Sequence, residues 1–268
     1  MRVRKVSSIL FIGALLGCGC GTRISDSGAD IRIMSYNVHH CKGGDLRVDY
    51  ERVANVIKRE NPDFVGLQEL DCKTKRTAGV DQADTLGALT GMYATYAMAI
   101  PLQGGSYGVS LLSREKPLSV IRKPLPGAEA RVLLLCEFAD YWVGTTHLAL
   151  QEENRIKSAQ IIRNVIAECK GNKPVFMTGD WNARPNSQTL AEFRKVMKIL
   201  SAERGRTYSG FKTHAPESEC CIDYIAVDKS FASMFSQRKT YIVPDIVTSD
   251  HNPVVTVLKC RSAGILDN

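Results

Sequence analysis

The sequence predicts an α/β fold in which two packed sheets are covered by helices. Three observations lead there. Apolar strand-like runs and amphipathic helical stretches alternate along the chain. Many of the strands follow one another in hairpin-like succession, which disfavours a purely parallel, doubly wound sheet. The 268 residues contain no internal repeat and no linker between elements, so one large domain accommodates them.

Residues 31–38 (IRIMSYNV) read as a buried strand, and residues 49–60 carry Tyr50, Val53, Ala54 and Ile57 at helical spacing. Asn61-Pro62 stops that helix. A second strand covers 63–68 and a short helix covers 82–90, ending at Gly91. Strand-like runs follow at about 93–99, 107–113, 118–122, 131–138 and 141–147, with Ala139-Asp140 as a tight hairpin between the last two. A helix over 152–169 presents Ile156, Ala159, Ile162, Val165 and Ile166. A strand at 174–178, a helix at 187–199 and strands at about 221–227, 240–243 and 253–259 complete the pattern.

Composition sets outer limits. Hydrophobic residues at 44% and charged residues at 24% exclude disorder and fibrous repeats. The longest apolar run, Val6 to Gly17, follows Arg2, Arg4 and Lys5, the layout of an export signal. It ends in Leu15-Leu16-Gly17-Cys18, which resembles a bacterial lipobox with lipidation at Cys18. Residues 1–17 are then a signal peptide, 18–30 a lipidated Cys and flexible polar tether, and 31–262 the folded domain. The expected location is the cell envelope outside the cytoplasm, at the outer membrane in a Gram-negative cell, with membrane attachment through the acyl chains. Losing the signal lowers the net charge from +7 to +4, which suits anionic substrates but does not by itself indicate nucleic acid.

Lipidation of Cys18 would leave eight cysteines and no zinc-type CxxC pair. Cys136 and Cys169 lie in apolar patterns and read as buried thiols. Cys41 and Cys72 each follow a core strand and could form a bridge.

Polar groups recur where apolar strands end: Asn37, Gln68-Glu69, His147, Asp180 with Asn182, Asp223 and Asp250-His251. A single such residue is usually a turn former. Six places in one chain describe loops that a rigid scaffold uses to present chemistry. Carboxylate and amide oxygens at Glu69, Asp250 and Asn37 suit a hard divalent cation such as Mg²⁺. The two histidines suit hydrogen bonding to phosphate oxygens, and no HExxH pair points to zinc.

In these segments the chain resembles the endonuclease/exonuclease/phosphatase family, which includes deoxyribonuclease I and bacterial sphingomyelinases. The matching pieces are SYN (35–37), LQE (67–69), YGVSLLSR (107–114), THL (146–148), GDWNA (179–183), IDYI (222–225) and SDHNPV (249–254). They occur in family order and span nearly the whole mature chain. The resemblance implies a four-layer α/β sandwich with its site at one rim of two central sheets. It also implies metal-dependent hydrolysis of a phosphoester, with Mg²⁺ or Mn²⁺ as the cation. Glu69 matches the principal metal ligand and Asn37 the Asn beside it, with Asp250 as a further or water-mediated ligand. Asp180 matches the residue that orients or deprotonates the attacking water, and Asn182 helps place it. His251 matches the phosphate-contacting His. Asp223 and Asp250 are both candidates to orient it, with Asp223 favoured. His147 matches a second His that contacts phosphate or assists the leaving group.

Tyr107 and Arg155 are candidate substrate contacts, although packing and a solvated helix charge account for them equally simply. Lys73, Lys75 and Arg76 could line an anionic cleft, and either His39 or His40 could face the metal site. That His pair departs from the nuclease pattern. Aromatic residues are only 7% and no dense basic stripe is visible, so a small or lipid-derived phosphoester is favoured over nucleic acid. The expected enzyme is a monomeric phosphodiesterase or phosphatase. The alternatives are an extracellular nuclease and a binding module on the same fold that has lost catalysis.

Overall fold

The computed structural model describes residues 30–201, 203–211 and 221–261. The expected signal peptide, the lipidation site Cys18, most of the tether and His214 lie outside the described residues. No helix among the described residues is long and apolar enough to cross a membrane.

Two six-stranded mixed sheets form the centre. The first contains β1 (Asp30–Asn37), β2 (Phe64–Cys72), β3 (Tyr93–Leu102), β4 (Gly105–Ser113), β11 (Phe235–Ile242) and β12 (Val254–Cys260), in the order β11-β12-β1-β2-β4-β3. The second contains β5 (Ser119–Leu125), β6 (Arg131–Glu137), β7 (Trp142–His147), β8 (Val175–Asp180), β9 (Met197–Ile199) and β10 (Asp223–Asp228), in the order β5-β6-β7-β8-β10-β9. Each sheet has one parallel pair at its centre, β1–β2 and β7–β8, and otherwise antiparallel neighbours.

Helices α1 (Tyr50–Glu60) and α2 (Gln82–Thr90) cover the outside of the first sheet. Helices α3 (Glu152–Cys169) and α4 (Gln188–Arg194) cover the outside of the second. The inner core between the sheets holds Ile33, Phe64, Leu111, Leu134, Phe138, Phe176, Ile225 and Leu258. The result is the expected four-layer sandwich, the deoxyribonuclease I-like arrangement.

Local chemistry explains the helix boundaries. Asp49 caps α1 by accepting the Arg52 N–H at 2.9 Å, an interaction typically worth ~1 kcal/mol. Asn61 ends that helix with φ 50°, and Pro62 cannot continue it. Asp81 and Ser187 cap α2 and α4 in the same way. The Phe138 N–H to Tyr141 carbonyl bond at 2.8 Å closes the predicted hairpin at Ala139-Asp140.

Three expectations are corrected. The helix expected over 187–199 stops at Arg194, and Met197–Ile199 pairs antiparallel with Ala226–Asp228 as edge strand β9. The pairing that β10 offers there outweighs helical propensity. The proposed Cys41–Cys72 bridge is absent, and both are free thiols. Cys41 is buried under α1, whereas the Cys72 thiol donates to Asp81 Oδ2 at 3.0 Å. Cys136 is buried between the sheets as expected, but Cys169 is only half-buried at the end of α3.

Candidate active site

The carboxyl ends of the two parallel pairs meet at one rim. Asn37 ends β1, Glu69 lies near the end of β2, His147 ends β7 and Asp180 ends β8. His147 and Asp180 are register partners, as are Asp180 and Asp223 on β10. The sheet ladders therefore bring three of the expected residues side by side. His251 precedes β12, which lies beside β1 in the opposing sheet.

A β-bulge aims Glu69. The register of β2 against β4 shifts between Gln68 and Leu70, and Glu69 adopts φ 62°. Gln68 points into the sandwich, where Nε2 donates to Thr145 Oγ1 at 2.8 Å, while Leu70 joins the core beneath α1 and α2. The extra residue between them is freed from alternation and projects over the rim.

Asp180 lies at the centre and is buried. Its Oδ1 accepts the Asn182 N–H at 2.9 Å, and its Oδ2 accepts from Asn37 Nδ2 at 3.1 Å. The same Oδ2 lies 3.5 Å from His147 Nε2 and 3.6 Å from His251 Nε2. Asn37 Nδ2 also donates to Glu69 Oε1 at 3.0 Å, while its Oδ1 accepts the His39 N–H at 3.1 Å. Asn37 thus links Glu69 to Asp180 through its amide Nδ2.

His251 Nδ1 meets Asp223 Oδ2 at 2.9 Å, so Asp223 is the carboxylate that holds its ring. Asp250 lines the cleft, with Oδ1 3.4 Å from Ser249 Oγ. Asn182, at φ 47°, donates through Nδ2 to the Leu148 carbonyl at 2.9 Å and lies 3.0 Å from His147 Nε2. Asn is among the few residues that tolerate that backbone conformation.

Burial and neighbouring charges set opposite protonation tendencies. Burial alone would lower the His251 pKa, but Asp223 and Asp180 outweigh it and hold it at about 10. His147 is lowered by burial despite Asp180 and Glu69. Asp180 is raised, first by burial and then by Asp223. Burial would raise Glu69, but His147, the Asn37 hydrogen bond and His251 outweigh it, and Glu69 is lowered. At neutral pH the site combines an imidazolium, a neutral imidazole, an ionised Glu69 and a carboxyl group of increased basicity.

These groups open into a cleft of about 470 Å³, whose lining includes Glu69, Tyr107, His147, Asp180, Asp250 and His251. His147 Nδ1 and Asp223 Oδ1 are buried with no hydrogen-bond partner among the described residues. The Glu69 carboxylate facing this cleft is the kind of oxygen donor that suits a hard divalent cation.

Tyr107 lines the cleft with 8% of its surface exposed, so it packs and borders the cleft at once. Arg155 does not line it. Its guanidinium is committed to the Leu150 and Ala149 carbonyls and to Thr189 Oγ1, and its contact is with the loop whose Leu150 borders the cleft. Arg76 is held by Asp71 through two bonds of 2.7 Å and lies over the Tyr107 ring.

The sequence reading missed Glu129, Arg131 and Tyr208, all of which line the cleft. Arg131 opens β6, which runs antiparallel to β7, so its start shares a rim with the end of β7. Tyr208 bridges to His251 through the backbone, and their rings lie 4.9 Å apart. The antiparallel reading of β6–β7 was the available signal for Arg131. Nothing in the residues around Tyr208 announced its place.

A sequence model described as "Endonuclease/Exonuclease/phosphatase family" matches residues 34–251. No curated protein matches the chain. Among solved structures, an endonuclease/exonuclease/phosphatase from Beutenbergia cavernae superposes with a TM-score of 0.71 at 21% identity, covering 88% of this chain and 73% of that one. Another from Bacteroides vulgatus gives 0.71 at 22% identity, covering 87% and 100%. The mannosyl-6-phosphatase of Bacteroides thetaiotaomicron gives 0.66 at 18% identity, covering 85% and 99%. At these identities the likeness concerns the fold.

Proposed function

The chain belongs to the endonuclease/exonuclease/phosphatase family, whose members hydrolyse phosphoesters, and from that premise we propose that it is a divalent-metal-dependent phosphatase or phosphodiesterase acting on a small or lipid-derived phosphoester. The observation that carries this reading is the placement of Asp180 Oδ2 within 3.6 Å of both His147 and His251, at a rim that also presents Glu69. A buried carboxyl group set between two imidazoles in a cleft is the kind of perturbed cluster that gathers at functional sites.

Asp180 accepts the proton of the attacking water, and Asn182 and Asn37 fix its two oxygens for that task. The His251 imidazolium donates from Nε2 to a phosphoryl oxygen, with Asp223 holding its Nδ1. His147 is neutral and stands beside the leaving group. Glu69 would be the principal ligand of a bound cation, with Asp250 as a further or water-mediated one. Mg²⁺ or Mn²⁺ bound there would supply charge neutralisation at the phosphoryl oxygens. Phosphoryl transfer depends mainly on such positioning and neutralisation, so no covalent intermediate on the protein is needed.

Arg131 brings a guanidinium to the cleft, where Glu129 pairs with it. The structurally similar mannosyl-6-phosphatase makes sugar phosphates a natural class to test. We also propose export with a lipid anchor at Cys18, which would hold the site near the envelope surface.

The test is release of nitrophenol from mono- and bis-nitrophenyl phosphate, followed by a panel of sugar phosphates, lipid-derived phosphoesters and nucleic acids. Turnover should require Mg²⁺ or Mn²⁺ and stop with EDTA. Absence of turnover on every ester would leave a binding module. Activity confined to nucleic acid would make it a nuclease.

A further inference from the structure

A second cavity, of about 220 Å³, adjoins the cleft and shares Glu69, Tyr107 and Glu129 with it. His39 and His40 face it. Consecutive residues of an extended chain point to opposite sides. Here His39, His40 and Cys41 have φ of 45°, 42° and 60°, a run of left-handed residues without glycine. The effect is to turn both imidazoles toward one carboxylate. Their rings meet edge-on with centroids 4.6 Å apart.

We propose that His39, His40 and Glu69 form a three-ligand site for a first-row transition cation of the Zn²⁺, Mn²⁺ or Fe²⁺ class. One ligand atom from each residue lies within 4.8 Å of the others. Donors at about 2.0–2.2 Å from a shared cation lie roughly 3.4 Å apart in a tetrahedron, so small side-chain rotations close the site.

The surroundings favour it. His39 Nδ1 is engaged with the Lys42 carbonyl at 3.0 Å, which leaves Nε2 as the coordinating nitrogen. A carbonyl in that position is the usual orienting partner of a metal-bound imidazole. The His40 carbonyl accepts from Gln82 Nε2 at 2.8 Å, and the His39 N–H donates to Asn37 Oδ1, so the loop is fixed at both residues. Arg76 is the nearby cation, and Asp71 neutralises it through a two-bond contact. The other such cluster among the described residues, Asp180, Asp223 and His251, already spends Asp223 Oδ2, His251 Nδ1 and both Asp180 oxygens on mutual and amide hydrogen bonds. Two imidazoles shift preference away from Mg²⁺, which selects oxygen donors.

This inference deepens the hydrolase reading, with which it shares Glu69, but its test does not depend on turnover. The metal-stripped protein is titrated with Co²⁺ while the visible d–d absorption is followed. Equilibrium dialysis then compares Zn²⁺, Mn²⁺ and Mg²⁺. One equivalent of Co²⁺ should give a ligand-field band, and Zn²⁺ should bind more tightly than Mg²⁺. His39→Ala and His40→Ala should each weaken Co²⁺ binding about tenfold or more and alter the band. His39→Gln and His40→Gln, checked by circular dichroism, cover a folding failure of the alanine variants. Asp180→Asn should abolish hydrolysis and keep the band.

Unchanged Co²⁺ binding in the folded His variants, or Mg²⁺ binding as tight as Zn²⁺, overturns the proposal. A His-dependent band in a protein that hydrolyses no ester leaves this site standing and removes the hydrolase reading. Mg²⁺-dependent hydrolysis without such a band does the reverse.

Discussion

Nδ1 of His251 and Oδ2 of Asp223 lie 2.9 Å apart, with both side chains buried. The pair joins β10 of one sheet to the loop before β12 of the other. Against burial, Asp223 and then Asp180 hold His251 at about 10, above the ~6.5 of a free imidazole. The sign follows directly. The pair's stabilisation is fully present below pH ~6.5 and is lost as pH rises through about 10. Asp223→Asn should bring the alkaline limb of kcat/KM down from near pH 10 toward ~6.5. Turnover at pH 8 should fall about 10²–10³-fold, as for loss of a preorganised donor. A profile that keeps its alkaline limb in the variant would separate Asp223 from the charge of His251.

Asp180 predicts a conflict between stability and activity. Its pKa is raised by burial and by Asp223, so the fold disfavours its ionised form relative to the unfolded chain. Its contribution to stability is therefore best at low pH and declines as pH rises through the folded pKa. Asp180→Asn keeps the shape and removes that charge, while giving up one of the two amide hydrogen bonds the carboxylate oxygens accept. The metal-free variant should melt a few degrees above wild type at pH 7, where ~1 kcal/mol corresponds to about 2–4 °C for a domain of this size. The gap should shrink toward pH 4, and hydrolysis should be lost. Equal melting temperatures across that range would mean that the carboxyl group carries no such penalty.

The sequence made the rim legible because most of its residues follow directly on apolar strands. His147 and Asp180 need only the ladder to meet, and Asn37 reaches Asp180 once the two sheets pack. The role of Asp223 against Asp250 was decided by pairing, since Asp223 sits in register with Asp180 while the Asp250 side chain meets Ser249. The bulge at Glu69 could not be read, because alternation through Leu67, Gln68 and Leu70 shows only that one residue is surplus. Glu129 and Arg131 were missed because the first precedes β6 and the second opens it, and a search of strand ends overlooks the rim's antiparallel starts. The short β9 was read as helix because three residues cannot display a strand period against a helical neighbour.

Arg131 allows a prediction about binding rather than chemistry. It is 8% exposed, lines the cleft beside Tyr107 and pairs with Glu129, and its Nε has no partner among the described residues. A guanidinium so placed offers fixed donors to a phosphoester, which a lysine ammonium cannot reproduce. Arg131→Lys should raise KM about tenfold, near 1.4 kcal/mol, with little change in kcat. A fall in kcat at constant KM would move Arg131 from substrate binding into the chemical step.

Gly66 ties the packing of the sandwich to the aim of its site. A Cβ built there would lie 1.9 Å from Thr178 Oγ1 and 2.7 Å from Thr145 Oγ1, side chains of the opposing sheet. Glycine therefore sets how closely β2 approaches β7 and β8 beneath the rim. Two residues on, Gln68 crosses the same gap to Thr145, and the bulge at Glu69 follows at once. Gly66→Ala should destabilise the protein by about 1–3 kcal/mol through overpacking, seen as a lower urea midpoint at unchanged m-value. Because the strain arises next to Glu69, activity per folded molecule should fall as well. Thr178→Ala removes the oxygen that clashes, so the double variant should be less destabilised than the two single changes together. Additive losses, or full specific activity in Gly66→Ala, would show that the gap at this point does not govern the position of Glu69.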